Sequence, residues 1–101
     1  MEIKSCIEQL AEEDKLRTFF VQDRGKILKF AVQYYAKIGG KWPSIMRTDN
    51  YHGTPHRHIF HLHSEELRVK LSEDANVAFT QAKLEIKSNF KAIKENFLFS
   101  A

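Results

Sequence analysis

The chain has 101 residues, enough for one hydrophobic core but not for two independently folding units, so a single domain over residues 1–101 is expected. Hydrophobic residues make up 43% and charged residues 29%, a balance that supports burial and excludes wholesale disorder. With its five histidines neutral the formal charge is +3, which permits a polyanionic partner without requiring one.

One cysteine, Cys6, leaves no internal disulfide and no need for an oxidising compartment. Residues 1–14 are rich in Glu and broken by charge every few positions, unlike a secretory leader, and no apolar run approaches membrane-spanning length. A cytoplasmic protein without membrane contact is expected.

Ile3, Ile7 and Leu10 recur at spacings of four and three, which predicts a short amphipathic helix over residues 3–13, with Cys6 as a small apolar core residue. The run Thr18-Phe19-Phe20-Val21 predicts a strand from Leu16 to Gln22, closed by the hairpin turn Asp23-Arg24-Gly25. From Ile27 to Ile38, Leu28, Phe30, Val32, Tyr34 and Ala36 alternate with a set containing Lys29, Gln33 and Lys37, which is the period of a long strand. After the Gly39-Gly40 turn a third strand spans Trp42 to Thr48, with Pro43 at its start. His58 to His63 reads as a fourth strand, and Leu67 to Leu71 as a short fifth strand or a helical turn. Tyr34, Tyr35 and Trp42 read first as sheet-packing residues and second as base-stacking platforms.

From Asp74 to Phe97 an apolar stripe of Ala75, Phe79, Ala82, Ile86, Phe90, Ile93 and Phe97 predicts a long C-terminal helix, with Ser72 as its N-cap. The expected fold class is therefore α+β: a short N-terminal helix, an antiparallel meander of three to five strands and a long C-terminal helix, with both helices on one face. The aromatic end Phe97-Leu98-Phe99 would fray in water uncovered, so a homodimer through this helix is expected.

Chemistry concentrates between Arg47 and His61, which hold four of the five histidines, with His63 just beyond. Asn50, Gly53 and Pro55 supply turn geometry, so the surrounding side chains would be displayed by a rigid scaffold. His56 and His58 share one strand face by parity and His61 and His63 share another. The two pairs then point apart, and too few further ligands are at hand for zinc, so neither a metal nor another cofactor is expected.

The pattern Asp-x-x-His-Gly-x-Pro-His-Arg, here Asp49, His52, Gly53, Pro55, His56 and Arg57, resembles the signature of small prokaryotic domains related to the TumE-like toxins of toxin-antitoxin modules. The similarity takes in Gly40-Lys41-Trp42 before the signature and residues 82–96 after it. It implies a ribonuclease acting on RNA and held in check by an antitoxin protein. RNA cleavage without a metal needs a base for the 2′-hydroxyl, an acid for the leaving oxygen and a cation near the phosphate. His52 and His56 are the acid-base candidates, Arg57 and Arg47 the phosphate binders, and Asp49 the residue that orients a histidine or arginine. Lys83, Lys87 and Lys91, along one side of the last helix, are candidate nucleic-acid contacts, although such a run is also what a solvated face looks like. A structural loop pinned by Asp49 and Arg57, in a non-enzymatic protein- or nucleic-acid-binding module, fits the same residues.

Overall fold

A computed structural model describes residues 1–99, and its first strand begins at the second residue. Six strands, β1 (Glu2–Ala11), β2 (Asp14–Asp23), β3 (Lys26–Ala36), β4 (Ser44–Asp49), β5 (His56–Ile59) and β6 (Leu67–Lys70), form one sheet in sequence order, with every neighbouring pair antiparallel. A single helix, α1 (Ala75–Phe99), follows and lies across β2, β3 and β4. The fold is a mostly-sheet α+β meander with six strands, which corrects both the expected N-terminal helix and the expected three to five strands.

The N-terminal correction has a definable cause. The spacing of four from Ile3 to Ile7 satisfies strand and helix periods alike, and only the step of three to Leu10 favoured the helix. Leu10 lies where the pairing with β2 slips, between Gln9↔Lys15 and Ala11↔Asp14. As a strand, β1 leaves Ile3 and Ile7 each 66% exposed, and Cys6 is exposed rather than part of a core. It is held mainly by its backbone ladder to β2, which runs from Glu2↔Gln22 onward.

The register places Leu16, Thr18 and Phe20 of β2, Phe30, Val32 and Tyr34 of β3, and Met46 and Thr48 of β4 on one face of the sheet. Ala78, Phe79, Ala82 and Ile86 of α1 join these residues in the core, with Phe79 edge-on to Phe20 and Phe30 at centroid distances of 5.3 and 5.6 Å. Tyr34, fully buried, donates its hydroxyl proton to Asp14 Oδ1 at 2.5 Å. Burial and the adjoining carboxylate push this phenol well above the usual tyrosine range.

Turn chemistry fixes the ends. Arg24 and Gly25, at φ of 52° and 78°, carry the two left-handed positions that let the β2–β3 hairpin follow the strand twist. Asp74, not Ser72, caps α1: its Oδ1 accepts the amides of Asn76 at 2.9 Å and Val77 at 3.3 Å, while Ser72 Oγ accepts the amide of Asp74. Asn76 then ties the helix to the hairpin, donating to the Gly25 carbonyl and accepting from the Ile27 amide.

Past a kink at Asn89, α1 brings Phe97 back to the core at 6% exposure. Its carbonyl accepts the Leu62 amide at 2.9 Å. Phe97 is thus covered by its own chain, and of the aromatic end expected to seat a homodimer only Phe99 is strongly exposed. Among the described residues no helix is long and apolar enough to cross a membrane.

Candidate functional site

The face of the sheet turned away from α1 has no covering element among the described residues. By register it displays Lys15, Arg17, Phe19 and Val21 from β2, Lys29, Ala31, Gln33 and Tyr35 from β3, Arg47 and Asp49 from β4, His56 and His58 from β5, and Arg68 and Lys70 from β6. Across these strands, counting the Asp23↔Lys26 pair at the hairpin end, it carries seven lysines and arginines and two acids, Asp49 and Asp23. Two aromatic rings lie under cations: Trp42 with Lys15 Nζ at 4.1 Å from its centroid, and Tyr51 with Lys29 Nζ at 4.8 Å.

Asp49 organises the β4–β5 end of this face. It is 3% exposed, and it accepts Arg47 Nε on Oδ2 at 2.8 Å and the Tyr51 amide on Oδ1 at 3.1 Å. Next to it on β5, His58 is also buried, with Nε2 at 3.5 Å from Asp49 Oδ2 and Nδ1 at 3.3 Å from Glu66 Oε1. The second approach is too misaligned to be a hydrogen bond, so Nδ1 of this enclosed ring has no partner.

His56 pairs with Asp49 across the ladder, so the hairpin loop runs from Asn50 to Pro55. Asn50 closes one side by accepting the Phe30 amide and donating to the Leu28 carbonyl, where β3 leaves its regular pairing with β2. Gly53 sits at φ 106°, where a side chain would strain the backbone. Pro55 is buried, and its carbonyl accepts the Leu71 amide. His56 Nδ1 lies 2.7 Å from the Thr54 carbonyl. A carbonyl only accepts, so Nδ1 carries the proton and Nε2 is the nitrogen left for other chemistry. A cavity of about 90 Å³ is lined by Asp49, His52, Thr54, His56, His58 and Arg68.

A family model described as a domain of unknown function (DUF7718) matches residues 1–100. The chain belongs to this family. No curated protein and no solved structure matches it.

Within this DUF7718 domain, Asp49, His52 and His56 line one cavity, with Arg47 bound to Asp49 at its edge. Arg57 does not join them. It points to the covered face and pairs with Glu85 of α1, its Nε buried without a partner, so neither an Asp49–Arg57 pin nor a phosphate contact beside His56 fits its position. Lys83, Lys87 and Lys91 lie on α1, on the other side of the sheet. Lys83 stands over the Phe79 ring, Lys87 pairs with Glu8 of β1 at 3.2 Å, and Lys91 is exposed.

Two site residues were missed in the sequence. The sequence weighs His58 only as a metal-ligand partner of His56, and it gives Arg68 no part in the site. The signal for Arg68 was the period of Leu67 to Lys70, since a fifth-strand partner to β5 brings Arg68 opposite His58. His61 and His63 fall beyond β5, where His61 bonds locally to the Glu65 carbonyl, and among the described residues no group of three metal-ligating side chains forms.

Proposed function

We propose that the protein is a metal-independent ribonuclease of the TumE-like toxin type, restrained by an antitoxin protein, with His56 as its main proton-transfer group. The observation that supports this most is the fixed tautomer of His56. Its Nδ1–H is held by the Thr54 carbonyl, which leaves the Nε2 lone pair available in a cavity shared with His52 and Arg68.

Cleavage begins as His56 Nε2 takes the proton of the ribose 2′-hydroxyl while the 2′-oxygen bonds to phosphorus. The bond from phosphorus to the 5′-oxygen breaks, and that oxygen receives a proton from the His52 imidazolium. Arg68, exposed and only loosely paired with Glu66 at 3.5 Å, meets the charge that builds on the phosphate, a part Arg57 cannot take from the opposite face. Asp49 acts through its neighbours, holding Arg47 and the Tyr51 amide so that the loop keeps its shape.

The test uses a defined single-stranded RNA with chelator present. His56→Ala should lower the cleavage rate roughly a hundredfold or more, as loss of a general acid-base group does, with an unchanged melting temperature. Equal cleavage by parent and variant, or none by either while both fold, ends the ribonuclease reading and leaves the open face as a non-enzymatic binding surface.

A further inference from the structure

Beside the catalytic cavity the open face holds a second, larger concavity of about 310 Å³, lined by Arg17, Phe19, Ala31, Gln33, Arg47 and Tyr51. We infer that it is a nucleobase pocket, which receives one unstacked base of a single-stranded RNA whose backbone continues towards His56. The inference rests on the RNA reading above and adds the substrate's conformation and the residues that hold its base.

Two aromatic walls of different origin carry it. Phe19 projects from β2 and is half-buried, so its ring is held by the sheet, whereas Tyr51 belongs to the β4–β5 loop and is 47% exposed. Every base has a π-face, so two rings at one concavity offer stacking without demanding a particular sequence. The polar lining is placed to hydrogen-bond a base edge. Tyr35 donates its hydroxyl proton to Gln33 Oε1 at 2.6 Å, which orients the amide and leaves the Gln33 NH₂ group as a donor. Arg17 is exposed and, among the described residues, neither Arg17 nor Lys29 has an acidic partner within ion-pair distance.

Charge selects a polyanion, since the lining holds two arginines and no acid, and the neighbouring Asp49 is buried against Arg47. Arg47 also gives the direction of the chain. It lines the base pocket while its Nε binds Asp49, a lining residue of the His56 cavity, so the two concavities adjoin and a strand seated by Phe19 is directed across β3 and β4 towards the histidines. A base already paired and stacked in a duplex cannot enter such a pocket, which is why the ligand is single-stranded.

The experiment measures fluorescence anisotropy of a labelled single-stranded RNA of about eight nucleotides, within the site sizes of single-domain binders. The protein is the full chain carrying His56→Ala, so that the probe stays intact. Adding Phe19→Ala or Tyr51→Ala should each weaken binding about tenfold, the scale of one lost stacking contact, and the same RNA as a duplex should bind at least tenfold more weakly than the single strand. Tyr51 lies in an exposed loop, so its variant answers even if Phe19→Ala melts early. Parent-like affinity in the Tyr51→Ala protein, or preference for the duplex, overturns the pocket. Cleavage by the protein with His56 intact is scored separately. Binding that depends on Phe19 and Tyr51 without any cleavage keeps the pocket and removes the ribonuclease; cleavage and binding indifferent to both rings do the reverse; neither binding nor cleavage removes both.

Discussion

The two faces of the sheet use similar residue types for opposite purposes. On the covered face Phe20, Phe30 and Tyr34 meet α1, and three cations of that side are paired: Arg57 with Glu85, Lys87 with Glu8, Lys94 with Glu13. On the open face Phe19, Tyr35 and Tyr51 have no helix over them; Arg47 is paired with Asp49 and Arg68 with Glu66, whereas Arg17 and Lys29 have no acidic partner among the described residues. Aromatic and charged residues therefore say little by type alone. What separates scaffold from site is the counter-surface that α1 supplies to one face and not to the other.

That contrast can be broken first on the covered side. Ile86→Ala removes a fully buried side chain from the core and should cost about 2–5 kcal/mol, whereas Gln33→Ala on the open face should stay within about 0.5 kcal/mol; thermal or urea unfolding reads both. Equal losses would mean that the open face is covered in solution.

Asp49→Ala strips partners from Arg47, the Tyr51 amide and His58 together, and should destabilise by about 1–3 kcal/mol while also lowering RNA cleavage. Arg57→Ala should cost about 1 kcal/mol, because its pair with Glu85 is only partly buried, and should leave the cleavage rate per folded molecule unchanged. A selective loss of rate in Arg57→Ala would return that residue to the site.

The smallest effect is in alkali. In the unfolded chain Tyr34 ionises near pH 10, whereas in the fold its phenol stays protonated against Asp14 to higher pH. The folded value is raised, so the contribution of this group is fully present below about pH 10 and is lost as pH rises above it. Tyr34→Phe should lower stability by about 1 kcal/mol at neutral pH and show a shallower decline above pH 10 than the parent, measured by urea unfolding across that range.

Much of this arrangement was legible from alternation. The β3 strand, the hairpin at Arg24-Gly25 and the stripe of α1 all follow from period and turn chemistry, and the Asp49 to His58 segment stood out by composition. β1 was not legible because its two isoleucines sit at a spacing common to both periods and are buried by neither face. The fate of Arg57 was hidden by register: beginning β5 at His56 rather than His58 makes Arg57 a strand residue opposite Thr48, and strand parity then sends it to the helix and away from its sequence neighbours. Glu85, which receives it, is remote in sequence and carried no local signal.

The central claim is that binding belongs to the open face and not to the lysine side of α1. The direct measurement compares the affinity of His56→Ala protein for single-stranded RNA, across a salt series, with the pair Arg17→Ala and Lys29→Ala added or with Lys83→Ala and Lys91→Ala added. Removing the open-face pair should weaken binding at least tenfold and flatten the salt dependence by roughly two phosphate contacts, while removing the helix pair changes neither. A helix pair that carries the affinity and the salt slope, with the open-face pair silent, would contradict it.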